Sequence, residues 1–368
     1  MNMPDNISQW RQMLEGIMAQ DVEHALASPQ GKFSFERLAA FVSPAAQNYL
    51  EQMAQLAHYL TIERFGKTVQ LYAPLYLSNY CVNNCLYCGY NASSKAARRR
   101  LTIEEAIENA AVLASEGFKH ILLVSGEDRE FISVEYLVEL ARKLRKNFSS
   151  ISIEIYQMAT DEYRSLCEAG VDGITLYQET YDRTEYAKWH NGPKADYNRR
   201  LRAHDDAAEA GMRRLGLGSL LGLADWRLET LALGIHANYL MKKYWRSLVS
   251  FSFPRLRPAH NVNCKFEHLL SDKDLVQMIL ALRLCFADAG LYLSTRENAA
   301  LRDHLVNLGI THISAGSKTN PGGYSGKIDA VEQFEVNDNR TPAEVAAMLR
   351  QKGLEPVWKD WDAAFSDS

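Results

Sequence analysis

From Val69 to about residue 320 the chain alternates eight short apolar, β-rich runs with amphipathic stretches. This repeated βα alternation constrains the fold more than any other feature. The candidate strands are 71–78, 120–124, 152–157, 173–177, 214–220, 248–253, 291–294 and 312–315. Helix punctuation lies between them. Thr102 with Glu105 forms a capping box opening a helix that stops near Gly117. Ser133 caps the next, and Thr160 caps one ending at Gly170. Ser271 opens a helix ending at Gly290, and the helix after Arg296 ends at Gly309. Eight such repeats over roughly 250 residues predict a (β/α)8 TIM-type barrel in the α/β class. The runner-up is an open doubly wound sheet, but no G-x-G-x-x-G follows the first strand.

Two extensions flank the barrel, which is expected over 69–320. Residues 1–68 read as helical, with apolar spacing in Trp10, Met13, Leu14, Ile17 and Met18, then Ala46, Tyr49, Leu50, Met53 and Leu56. Residues 321–368 form a small C-terminal extension or lid. It holds one well-marked helix, with Thr341 as cap, Pro342 first, Glu344 at N3 and Gly353 as stop.

With 47% hydrophobic residues the chain can bury a large core, while a net charge of -4 argues against a broad nucleic-acid surface. The one dense basic run, Arg98-Arg99-Arg100, reads as a solvated face before a helix. Met1 to Glu15 shows no secretory pattern, and no apolar run is long enough to span a membrane. A cytoplasmic location is expected, with cysteines reduced.

Those cysteines carry the chemistry. Cys81-Val-Asn-Asn-Cys85-Leu-Tyr-Cys88 places three thiols within eight residues, directly after the first strand. A structural zinc site takes four protein ligands, and the next candidates, His120 and Cys167, are far along the chain. An iron–sulfur cubane also takes four, so three thiolates leave one iron open to a small molecule. A zinc-stabilised binding protein remains the rival reading. Cys167 and Cys285 sit on apolar helix faces and read as core thiols; Cys264 lies in a loop after the sixth strand.

The C-x3-C-x2-C spacing, with Tyr87 just before the last cysteine, resembles the radical S-adenosylmethionine (SAM) enzymes. That resemblance implies a 4Fe-4S cluster on Cys81, Cys85 and Cys88 whose open iron is chelated by SAM. Further motifs resemble that superfamily's SAM-binding elements. Gly126-Glu127 follows strand two, Glu179 ends strand four, and Arg200 lies near the start of a helix running to Gly211, as in biotin synthase. By the same resemblance Glu179 contacts ribose or substrate, Arg200 the SAM carboxylate, and Leu220 or, preferred, Leu221 the adenine. Asp225 stands where the family has Glu. Glu154 and Tyr156 alternate onto one face at the end of strand three and are expected at the ligand.

Longer words extend the likeness. Leu60 to Lys67, Leu71 to Cys81, Cys88-Gly-Tyr-Asn91, Ser314-Ala-Gly-Ser317 and Pro321-Gly-Gly-Tyr324 look like the tyrosine-lyase branch, the 2-iminoacetate synthases of thiamine thiazole synthesis. The neighbouring branch, which builds hydrogenase cofactor, carries a second cluster on later cysteines; none follows Cys285 here. The resemblance implies that a 5′-deoxyadenosyl radical takes hydrogen from the amino group of L-tyrosine. The Cα–Cβ bond then breaks to give 2-iminoacetate and, after reduction, p-cresol. A tryptophan-acting lyase is the nearest alternative. Arg296 is the expected anchor for the substrate carboxylate, with Ser314 and Ser317 as hydrogen-bond partners and Arg257 as the alternative cation. Thiazole synthase and a low-potential flavodoxin or ferredoxin are the implied partners.

Overall fold

The computed structural model describes residues 3–4, 6–260, 262–326 and 330–362. The parts of the two expected extensions at 1, 2, 5, 327–329 and 363–368 lie outside the described residues. All eight expected strands form: β1 (Thr68–Ser78), β2 (His120–Ser125), β3 (Ser150–Glu154), β4 (Gly173–Thr175), β5 (Arg214–Gly218), β6 (Leu248–Ser252), β7 (Gly290–Leu293) and β8 (His312–Ser314). Every neighbouring pair is parallel, and β1 pairs with both β8 and β2, closing the barrel. A ninth strand, β9 (Glu355–Val357), was not expected; it pairs with the first residues of β1.

Capping chemistry set most helix starts. Thr102 and Glu105 form their reciprocal box, and Ser133, Ser271 and Thr341 cap as expected. Thr160 does not cap. It is the first helical residue, and Glu162 reaches back to the backbone N–H of Ala159 instead. The helix after Ser271 ends at Cys285, five residues short of Gly290, which instead begins β7. The helix Ala299–Leu305 likewise stops before Gly309.

The N-terminal helices Phe35–Val42 and Leu50–Phe65 pack outside the barrel on Asp272–Cys285, and the first also touches Trp226–Lys243. Those two barrel helices are covered by the barrel on one side and by the N-terminal helices on the other. Their apolar residues therefore run almost all round, as in a helix buried on every face.

The barrel interior departs from the usual layers of branched aliphatics. Tyr72, Tyr177, Tyr292, Arg214 and serines of β3 and β6 line its centre. Gly218 makes room for this, because a Cβ there would lie 2.6 Å from the Tyr177 ring. At the strands' N-terminal end the tail closes the floor: Asp360 meets His120 at 2.9 Å and Arg214 at 3.1 Å, and Arg213 lies over Trp361.

Candidate active site

At the opposite end, where loops leave the C-terminal ends of the strands, one cavity of about 1000 Å³, partly open to solvent, gathers most of the expected residues. Cys81, Cys85, Tyr87, Cys88, Gly126, Glu127, Glu154, Tyr156, Glu179, Arg200, Arg257 and Arg296 all line it. Leu221 does not. Its backbone N–H bonds the Pro254 carbonyl and its side chain enters the main core, while Leu220 faces the cavity and packs with Cys85 and Tyr87. The correction has a local cause: β5 ends at Gly218, so strand alternation no longer applies two residues later.

The cysteine loop is held from several sides. Gly126 lies directly beneath it, and a Cβ there would sit 2.1 Å from the Tyr80 carbonyl oxygen and 3.1 Å from Cys81 Cβ. Glycine at 126 is thus needed for close packing under the loop. Arg98 donates to the carbonyls of Asn79, Tyr90, Asn91 and Ser94, bracketing the segment. Arg99 pairs with Glu105, and Arg100 with Asp128 at 2.6 Å while lying over the Tyr80 ring. The basic run is therefore a clamp, not the solvated face expected from sequence. Asn83 Nδ2 donates to Glu127 at 2.6 Å.

The donor set fits an iron–sulfur cluster. The N–H of Glu127 points at Cys81 Sγ and that of Tyr90 at Cys88 Sγ, each at 3.4 Å; such bonds tune cluster thiolates. Burial pushes the Cys85 thiol up to about 12 and raises Cys88 as well. Without a cation both would stay protonated, whereas coordination removes the proton outright. Cys264 packs beside this loop and donates to the Leu86 carbonyl, but does not line the cavity. Cys285 is buried in the core, and Cys167 packs against it.

Glu179 adopts a left-handed φ of 70°, a conformation that a non-glycine residue keeps only where its surroundings enforce it. Lys194 at 2.6 Å and Arg200 at 3.7 Å hold its carboxylate, and the Leu220 N–H donates to its carbonyl at 2.8 Å. Burial pushes the Glu179 pKa up, but the two cations outweigh it and leave the group below its ordinary value. Glu229 secures the same loop from behind, accepting from the Thr180 hydroxyl and the Tyr181 N–H. Asp225, by contrast, caps the helix Trp226–Lys243. Tyr87 donates to His190 Nε2 at 2.8 Å; His190 Nδ1–H is committed to the Tyr186 carbonyl, and burial pulls this histidine down to about 4, so it stays neutral.

A second compartment of about 580 Å³ adjoins the first, sharing Glu154, Tyr177, Arg296 and Phe334 among others. Ser314 and Ser317 line it. Ser314 Oγ accepts from the Thr295 N–H, while the buried Ser317 Oγ has no hydrogen-bond partner. Among the described residues Arg296 makes no salt bridge; its guanidinium lies 3.4 Å from the centre of the Phe334 ring. Arg257 is already paired with Glu297 at 2.8 Å. Lys194, Leu220, Tyr177, Gln333 and Phe334 also line the site. Sequence reading assigned none of these except Leu220, as the less favoured of two leucines, because their partners lie far along the chain.

A closed parallel barrel with an open three-cysteine loop at its catalytic end defines the radical SAM class. Residues 75–232 match the Radical SAM superfamily model, and 252–355 match the Biotin and Thiamin Synthesis associated domain. The chain is 42% identical over 364 residues to 2-iminoacetate synthase of Escherichia coli (strain K12) and 41% identical to that of Salmonella typhimurium, covering 96% of each. It also superimposes on the crystal structure of HydG, a maturase of the [FeFe]-hydrogenase, with TM-score 0.91 and 34% identity. That match covers 96% of this chain and 79% of the HydG chain. The chain belongs to the 2-iminoacetate synthase family of the radical SAM superfamily.

Proposed function

We propose that this protein cleaves the Cα–Cβ bond of L-tyrosine, giving 2-iminoacetate and p-cresol for thiamine thiazole synthesis. One observation carries the reading: a single cavity is lined both by the three cysteines and by Arg296, a cation without an acidic partner among the described residues. The bound 4Fe-4S cluster and SAM supply a 5′-deoxyadenosyl radical, and the chain's own residues position and enclose the reactants. Cys81, Cys85 and Cys88 hold the cluster. Lys194 and Arg200 face the SAM carboxylate across from Glu127 and the backbone at Gly126, which receive its amino group. Glu179 orients those two cations, Tyr87 and Leu220 flank the adenine, and Tyr156 closes the side of the cavity near strand β3.

Arg296 and the free hydroxyl of Ser317 take the tyrosine carboxylate, since a guanidinium can hold it through two parallel bonds. Ser314, committed to Thr295, steadies the loop, and Arg257 supports through Glu297. The division into an N-terminal extension 1–68, a barrel 69–320 and a C-terminal extension 321–368 belongs to this proposal, supported by residues 333–338, whose backbone bonds cover the barrel mouth. A low-potential flavodoxin or ferredoxin as electron donor, thiazole synthase as acceptor of the hydrolysable product, and a cytoplasmic location complete it. Among the described residues no helix is long and apolar enough to cross a membrane.

The test is an anaerobic assay of reconstituted protein with SAM and tyrosine. Formation of 5′-deoxyadenosine with p-cresol supports the reading. SAM cleavage without p-cresol from tyrosine points to a lyase of another amino acid, and absence of SAM cleavage to a non-enzymatic metal protein.

A further inference from the structure

The two compartments share one acid. Glu154 ends β3, and in a ring of eight parallel strands β3 stands opposite β7, the strand that leads to Arg296. A tyrosine whose carboxylate sits on Arg296 and Ser317 therefore points its far end across the barrel toward Glu154. The walls between are Tyr76, Leu122, Tyr177, Phe253 and Phe334, a slot suited to an aromatic ring.

Of the other polar groups lining the slot, Tyr76 donates to Gln333 at 2.8 Å, Ser314 accepts from the Thr295 N–H and Ser294 from the Arg296 N–H. Among the described residues, no hydrogen bond or ion pair engages the Glu154 carboxylate, and both compartments open onto it. A half-buried carboxylate that faces the cavity without a donor lacks the partner that a charge withdrawn from water requires.

We propose that Glu154 receives the phenolic hydroxyl of bound tyrosine and takes its proton as the Cα–Cβ bond breaks. This rests on the tyrosine-lyase reading and gives Glu154 a role at the substrate, where sequence had placed it among the SAM contacts. The O–H pair stays on the phenol oxygen and the proton moves to the carboxylate. Of the two Cα–Cβ electrons, one pairs with the unpaired electron on nitrogen to make the C=N bond of 2-iminoacetate. The other stays on the benzylic carbon, spread to the para oxygen. The one-electron donor proposed above reduces that fragment, a proton from solvent entering through the open side of the cavity completes the methyl group at the benzylic carbon, and the proton held by Glu154 returns to the oxygen, giving p-cresol.

The experiment compares wild type, Glu154→Gln and Glu154→Ala as cluster-loaded protein with SAM. Tyrosine, phenylalanine and a ring-difluorinated tyrosine, whose phenol ionises near neutral pH, are the substrates. In Glu154→Gln, p-cresol formation from tyrosine should fall at least about 100-fold, the range of a lost general base. Turnover of the difluorinated substrate should fall less than about tenfold. In Glu154→Ala, the binding preference for tyrosine over phenylalanine should shrink to within about tenfold, because the hydroxyl has lost its acceptor. Equal losses on both phenols, or an unchanged tyrosine preference in Glu154→Ala, would overturn the assignment while leaving the lyase reading intact. A wild type that makes no p-cresol overturns both.

Discussion

Single side chains carry the chemistry here, and their protonation states depend on what surrounds them. Burial pushes the Glu154 carboxyl up to about 7, with Arg296 opposing and Glu179 reinforcing the shift and Arg200 and Lys194 also opposing it; the tyrosines at 72, 76 and 177 face the same space. A base must be ionised to accept a proton. Tyrosine cleavage should therefore rise as pH climbs through about 7, and the rise should vanish in Glu154→Gln, as read from kcat against pH. Arg296→Ala should weaken tyrosine binding by about 2–5 kcal/mol, the usual cost of removing one partner of an enclosed charge pair. SAM binding, measured separately, should change by less than tenfold. The Cys85→Ala variant should lose most of its iron and its SAM cleavage, checked by metal analysis and 5′-deoxyadenosine assay; retained SAM cleavage would contradict the ligand assignment.

Elements decide where those residues stand. Gly126→Ala puts a methyl group against the Tyr80 carbonyl. It should cost about 1–3 kcal/mol, as overpacking usually does, and release iron faster, measured by thermal unfolding and chelator challenge. Much at this scale was legible in the sequence, because a capping box or a βα alternation is a local pattern. Thr102 with Glu105 and Thr341 with Glu344 could be read directly, and so could the placing of the cysteine loop after β1. What could not be read depends on partners far along the chain. Arg98, Arg99 and Arg100 look like a surface run until the carbonyls of 79–94, Glu105 and Asp128 are seen around them. Lys194 and Phe334 lie in segments without periodicity, and β9 is three residues long. Leu220 and Leu221 are indistinguishable by type; only the end of β5 decides between them.

The whole molecule is a barrel with chemistry at one end and a polar seal at the other. Asp360 closes that seal against His120 and Arg214. Burial pushes the Asp360 carboxyl up, but His120 and Arg214 outweigh it and hold the group below its ordinary range. Burial keeps His120 itself deprotonated more readily than usual, so Arg214 supplies the charge. A carboxyl depressed in the fold adds stability above its unfolded value, about 3.9, and loses it as pH falls through the folded one. Wild type should thus be more stable than Asp360→Asn at neutral pH, with the difference shrinking below about pH 4 in acid-unfolding curves. The central claim is that the chain leaves one iron corner free for SAM, and the most direct measurement is electron paramagnetic resonance of the anaerobically reconstituted, reduced protein with and without SAM. The reduced protein should hold about four iron and four sulfide per chain and give a cluster signal that shifts when SAM is added. Stoichiometric zinc, or a cluster signal that SAM leaves unchanged, would contradict it.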